Sequence, residues 1–238
     1  MESPPARPTE RGYRNCTDTD DREVFAFRTL APNLPAVKFS SLPHQCADWE
    51  TVSREVHFAG GHLAVATEEV RTPSRSQPRS WTLVHRKAAV IIAPLTANGD
   101  LVLIRQERIP IRAEIWEAPG GQIDDATEQD LSAIEAVALR ELREETGYQL
   151  AAGGELISLG HFFSSPGFTD EHGYFFLARG VEPSSAGTAH EESEAILDCR
   201  AFPPSAVARM IADNEIRDAN TLGICAKLVA RGFLSLNA

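Results

Sequence analysis

The chain has 238 residues, 42% of them hydrophobic, which suffices for one packed domain with a smaller appendage. Its 23 Lys and Arg against 34 Asp and Glu give a formal charge of −11 and argue against a nucleic-acid binder, which shows a basic patch. Four scattered cysteines, Cys16, Cys46, Cys199 and Cys225, form neither a disulfide framework nor a zinc pattern, and no apolar run approaches the roughly 18–20 residues of a membrane span.

Residues 1–50 read as a flexible arm. The first 25 are polar, charged and Pro-containing, with no apolar segment of the kind a secretory signal carries. The expectation is therefore a cytoplasmic protein with neither a nucleic acid nor a membrane as partner. "VFAFRTLAPNLPAVKFSSLPHQCADW" interrupts its apolar residues with prolines, as an extended arm lying on a surface does. Residues 51–86 read as a small antiparallel β-sheet domain. "REVHFAG" and "HLAVATEEV" flank Gly60-Gly61 as a hairpin, and "SWTLVHR" follows the turn-rich "TPSRSQP". Residues 87–238 read as a mixed β/α body. "AAVIIAPL" and "DLVLIRQER" are joined by "TANGD", whose Asn98-Gly99 is a hairpin signal. Helical spacing over 132–146 places Ala133, Val137, Ala138 and Leu142 on one apolar side. Strands "LISLGHFF", "GYFFLARG" and "EAILDCRAF" follow, and a second principal helix, "ANTLGICAKLVARGFL", closes the chain.

The first helix carries the chemistry. Glu141, Glu144 and Glu145 stand at i, i+3 and i+4 and share one face. Three carboxylates so close repel one another unless a cation sits among them, and hard divalent ions such as magnesium or manganese take carboxylate and phosphate oxygens together. A solvated helix face with an ordinary Arg140–Glu144 pair is the plainer reading of such a charge run. The order of the whole string "RELREETG", with a Gly-Gly turn upstream, argues against it.

That string resembles the signature of the Nudix hydrolases, in which Gly, Arg-Glu-apolar-x-Glu-Glu-x-Gly and a final apolar residue recur at fixed spacing. Gly121, Arg140, Glu141, Leu142, Glu144, Glu145, Gly147 and Tyr148 match in type. The approach to the helix departs from the pattern. Arg140 lies nineteen positions after Gly121 where the pattern has fourteen, so five residues are extra. The early Glu of the pattern has no clean counterpart: Glu128 is one place late, and counting back from Arg140 lands on Ser132. Because closure entropy rises only logarithmically with length, the extra residues read as an expanded surface loop, not a broken site.

Upstream, "RQERIPIRAEIWEAPGGQIDD" is similar to the segment that precedes the box in the ADP-ribose and nucleoside diphosphate sugar pyrophosphatases of that family. Glu107 stands in place of their aromatic and Gly120 in place of their alanine. The resemblance implies a Nudix-type α/β/α sandwich with a mixed sheet, preceded by the small N-terminal sheet. It implies a Mg2+ ion, with Mn2+ as substitute, held by Glu141, Glu144, Glu145 and the Gly120 carbonyl, with Arg140 supporting the catalytic helix. Arg108 and Glu117 would contact the substrate, the Arg fork suiting a diphosphate; a surface ion pair is the alternative for Arg108. Trp81 matches an aromatic that stacks on the nucleobase, and Arg86 a basic substrate contact, though a strand Trp is as often core. "SSPGFTDE" and "NEIRDANT" resemble further stretches of the same group, and "HEESEAILDCRAF" the segment that delivers its base, implying Glu194, with Glu191 and Glu192 as alternates. The implied reaction is metal-dependent hydrolysis of ADP-ribose or a related nucleoside diphosphate sugar to a nucleoside monophosphate and a sugar phosphate, in a homodimer with exchanged N-terminal β-domains. ADP-glucose or UDP-glucose are the next substrates. A non-catalytic sensing module would be expected to have lost the acids, and an isomerase to place a cysteine near the box.

Overall fold

The computed structural model describes residues 48–123, 130–189 and 195–236. Three strands come first: β1 (Glu50–Ala59), β2 (Leu63–Arg71) and β3 (Arg79–Arg86), paired antiparallel in chain order. This is the small N-terminal sheet the alternating pattern predicts, and Gly60 and Gly61 make its first turn. The body contains β4 (Ala89–Thr96), β5 (Leu101–Arg108), β6 (Ala113–Glu117), β7 (Gly120–Gln122), α1 (Leu131–Thr146), β8 (Tyr148–Phe163), β9 (His172–Pro183), β10 (Ile196–Phe202), α2 (Pro204–Ala212) and α3 (Ala219–Ala230).

Its seven strands form one mixed sheet in the order β10-β5-β4-β9-β8, with β6 hung on β5 and β7 on β4. β4 and β9 run parallel, and the other pairs are antiparallel. β4 and β5 meet only at Leu95 and Leu101 and then diverge. Beyond that point β5 pairs with β6 from Ile104–Glu117 onward, while β4 pairs with β7 at Ile91–Gly120 and Val90–Gly121. The corner Ala118–Pro119 therefore crosses the gap between two diverging strands.

Period-two alternation in the central strands fills both faces. On one face Tyr174, Phe176 and Ala178 of β9 pack with Val90 and Ile92 of β4 against Ile134, Ala138 and Leu142 of α1. On the other, Phe175 and Leu177 pack with Ala93, Leu95 and Leu101 against Val207 and Met210 of α2 and Ile224, Cys225 and Leu228 of α3. Helices on both faces of a mixed sheet make the expected α/β/α sandwich. α1 begins at Asp130, whose carboxylate accepts the Ser132 N–H at 3.0 Å, and it ends at Gly147, whose φ of 69° is the left-handed conformation glycine adopts without strain.

Several elements differ from expectation, the short strands β6 and β7 among them. The body has a third helix, α2, begun by Pro204 at its first turn, where proline's missing N–H costs nothing; a proline pair reads as a break unless Val207 and Met210 are seen to reach the core. β8 starts at Tyr148, eight residues before the expected "LISLGHFF", because pairing with β9 carries it through the Gly-rich stretch with a register shift between Leu150 and Glu155. α3 stops at Ala230, where Arg231 caps it and Gly232 turns left-handed at φ 72°, short of the predicted "RGFL". No helix among the described residues is long and apolar enough to cross a membrane. Leu142, fully buried between α1 and the sheet, is expected to cost about 2–5 kcal/mol of stability when cut to Ala, read from urea unfolding at constant m-value.

Candidate functional site

The Gly120-Gly121 strand and the acidic face of α1 meet at close quarters. The Gly120 N–H donates to Glu145 Oε2 at 2.7 Å, a charge-assisted bond across 25 positions of sequence. A Cβ on Gly120 would stand 2.2 Å from the Val90 carbonyl oxygen, and one on Gly121 would stand 2.3 Å from the Glu141 carboxyl carbon. At Gly120 the clash is with backbone and requires glycine; at Gly121 it is with the end of the Glu141 side chain, which would have to turn aside. The alanine that the related pattern carries at position 120 has no room in this corner, which lies too near β4.

Glu141 and Glu145 are 5% and 2% exposed, both buried. Arg140 reaches along the helix surface and bridges its neighbours, donating from Nη2 to Glu141 at 2.6 Å and from Nη1 to Glu144 at 2.7 Å. Arg143 holds the other oxygen of Glu144 at 3.0 Å. Glu128, the sequence candidate for a partner of Arg140, lies outside the described residues. Among the described residues no three Asp, Glu, His or Cys side chains converge into a ready metal cluster. Glu144 is turned to its arginines, while Glu141 and Glu145 face the glycine strand. The donor chemistry is nevertheless all oxygen, three carboxylates beside a backbone turn, and that set fits a hard divalent cation.

The next residues stand on the corner's far side. Arg108, at the end of β5, donates from Nε and Nη2 to both oxygens of Glu117 at 2.8 and 2.9 Å, a bidentate fork that uses two of its five N–H donors. Burial pushes the Glu117 carboxyl above its ordinary value, and the hydrogen bond from Arg108 opposes this only in part. Burial works against the charge on Arg108 too, yet the paired carboxylate outweighs it, with smaller contributions from Glu145 and Asp218. Arg108 thus sits in an ion pair, as its plainer reading had it, but a half-buried one within the electrostatic reach of α1.

Trp81 and Arg86 belong to β3, and their contacts run to the loop after β8, not to the acidic helix. The Trp81 indole, 58% exposed, donates to the Gly167 carbonyl at 3.1 Å; Arg86 pairs with Glu171 at 3.1 Å. Beside them a cavity of about 500 Å3 is lined by Trp49, Arg54, Glu68, Arg79, Trp81 and His85. His85 stands between Glu68 at 3.2 Å and Asp170 at 2.6 Å. Glu194, Glu191 and Glu192 lie outside the described residues. The sequence reading singled out Asp218 and Thr221 only within the resemblance of "NEIRDANT" and missed their pairing at the head of α3, although Asp three places before Thr at a helix start is a capping signal. It missed the His85–Asp170 contact as well, for which a single sequence holds no signal.

A family model described as the NUDIX domain matches residues 84–222. The chain is 32% identical over 190 residues to the "ADP-ribose pyrophosphatase" of Mycobacterium tuberculosis (strain ATCC 25618 / H37Rv), covering 78% of this chain and 86% of that protein. It is 28% identical over 172 residues to the "ADP-ribose pyrophosphatase" of Bacillus subtilis (strain 168), covering 72% and 88%. The solved structure titled "Crystal structure of ADP compounds hydrolase" shares the fold with a TM-score of 0.62 at 18% identity, covering 79% of this chain and 97% of that one. The chain belongs to the Nudix hydrolase family.

Two outcomes test this geometry. Gly120→Ala is expected to lose about 1.5–3 kcal/mol in denaturant unfolding, the worth of the charge-assisted bond to Glu145 that the displaced corner gives up. The Cys199 thiol, which donates to the Thr146 carbonyl, is pushed up to about 11 by burial, with Asp198 and Glu145 adding to it; burial alone takes Cys225 to about 11. Both are neutral thiols near pH 7, so peptide mapping after iodoacetamide treatment of the native protein at pH 7.5 should find these two cysteines essentially unlabelled, with Cys199 labelling rising as pH climbs toward 11.

Proposed function

We propose that this protein hydrolyses the diphosphate bond of ADP-ribose, or of a closely related nucleoside diphosphate sugar, to a nucleoside monophosphate and a sugar phosphate. The observation that carries this reading is the docking of the Glu141–Glu145 helix face on the Gly120-Gly121 strand, beside the half-buried Arg108–Glu117 pair. The names of the Mycobacterium tuberculosis and Bacillus subtilis relatives support the substrate class.

In this reading Glu141, Glu144, Glu145 and the Gly120 carbonyl hold a magnesium ion, or manganese in its place. Such an ion supplies positive charge against the diphosphate oxygens and eases the ionisation of water. The chain's own residues do the rest. Gly120 orients Glu145 through its N–H, and Arg140 offsets the repulsion between Glu141 and Glu144. Arg108, fixed by Glu117, presents its other N–H donors to the diphosphate. Trp81 offers its exposed ring face to the base and Arg86 a charge to the sugar end. Glu194 orients or deprotonates the attacking water, with Glu191 and Glu192 as its alternates.

We also propose a homodimer built through the N-terminal sheet. Trp49, Val52, Val56 and Phe58 leave the β1 region exposed and apolar, the kind of surface a second copy covers. The scattered cysteines suit a reducing, cytoplasmic setting.

Charge stabilisation of this type is worth several kcal/mol, and about 1.4 kcal/mol is tenfold in rate. Glu145→Gln should therefore lower kcat/KM by roughly two to three orders of magnitude while its thermal midpoint stays near that of the wild type. The assay offers ADP-ribose, ADP-glucose, UDP-glucose and dinucleotides with Mg2+ or Mn2+, with products identified by chromatography. Turnover in the variant close to the wild type, or no turnover of any of these by the wild type, sinks the reading.

A further inference from the structure

The Ala118–Pro119–Gly120 corner is held from three directions. The Pro119 carbonyl accepts from Ile92 of β4 at 2.8 Å, and the Gly120 N–H donates to Glu145 of α1. The third hold comes from α3: the Ala118 N–H donates to Thr221 Oγ1 at 2.9 Å, across 103 positions of sequence. Thr221 is 0% exposed and stands in the first turn of that helix. Its hydroxyl is itself directed. Asp218, the N-cap, accepts through one carboxylate oxygen both the Thr221 N–H and the Thr221 hydroxyl, each at 2.7 Å. The hydroxyl donates to Asp218, which leaves a lone pair for the Ala118 N–H. The bonds polarise one another in sequence, each strengthening the next.

The path has a physical consequence. α3 packs on one face of the sheet and α1 on the other, and the corner runs through the gap where β4 and β5 part. Asp218 and Thr221 on one side and Glu145 on the other are thus joined through the covalent corner Ala118–Pro119–Gly120, from one helical layer to the other. We propose that Thr221, oriented by Asp218, is a positioning residue that fixes the corner and, through Gly120, sets the Glu145 carboxylate for cation binding.

This rests on the metal-dependent reading above, and the experiment separates the two. Thr221→Val removes the acceptor at nearly constant volume, and Thr221→Ser keeps it. Backbone amide exchange of the metal-free protein and Mn2+ binding followed by electron paramagnetic resonance are measured beside kcat and KM. In Thr221→Val the Ala118 and Gly120 amides should exchange at least about tenfold faster. Mn2+ affinity should fall about 10–100-fold, the usual effect of losing a partner behind a metal ligand. With metal limiting, kcat should fall in parallel while KM for ADP-ribose changes less than twofold. Thr221→Ser should restore all of these. If Thr221→Val does not fold, Thr221→Cys, whose sulfur is a weak acceptor, should show the same pattern in smaller measure.

Wild-type Mn2+ affinity in a folded Thr221→Val protein, whatever its thermal midpoint, would overturn the positioning role and leave the proposed function standing. So would failure of Thr221→Ser to restore binding. A wild-type protein that binds no Mn2+ would overturn the metal-dependent reading and this inference with it, while the exchange data would still report on the corner.

Discussion

Strands β4 and β5 are neighbours that pair only where Leu95 meets Leu101, and the backbone groups exposed as they diverge must find partners, because a buried unpaired N–H or C=O costs roughly 1–3 kcal/mol. β6 supplies those partners to β5 and β7 supplies them to β4, so the chain between them has to cross the gap. That crossing carries Glu117, Ala118, Pro119, Gly120 and Gly121 in five consecutive positions. One end reaches the Arg108 fork and the other reaches the carboxylates of α1. The candidate site is built where the sheet comes apart.

The same crossing explains how an acidic chain keeps its carboxylates ordered at one place. Its carboxylates there are not loose surface charge. Glu117 is held by Arg108, Glu145 by a backbone N–H, and Glu141 and Glu144 by Arg140. Each contact fixes a direction as well as offsetting charge. Two glycines allow the approach: at Gly120 a side chain would meet the backbone of β4, and at Gly121 it would meet the Glu141 carboxylate. The N-terminal sheet is joined to the body through the loop after β8, by Trp81 to Gly167, His85 to Asp170 and Arg86 to Glu171.

The periodic parts of this fold were legible in the chain. The hairpins around Gly60-Gly61 and Asn98-Gly99 and the helix ending at Gly147 follow from local rules of turn and cap chemistry. So do the alternating strands that put Tyr174 and Phe176 on one face and Phe175 and Leu177 on the other. β6, β7 and α2 were not legible. The first two are five and three residues long and exist because diverging strands needed partners; α2 depends on Val207 and Met210 reaching a core that its two prolines do not announce.

The sequence by itself determined the chemistry on offer: a helix that lines up Glu141, Glu144 and Glu145 at fixed spacing, an arginine among them, and glycines ahead of it. These are matters of residue type and of the 3.6-residue turn, both local. Only the tertiary structure decided what those groups touch. It turned Arg108 into the partner of Glu117, set Gly120 against Glu145, bonded Trp81 to Gly167, and brought Thr221 to Ala118 from more than a hundred positions away. Such contacts depend on how two strands diverge and which helix covers each face, and a residue's identity says nothing about either.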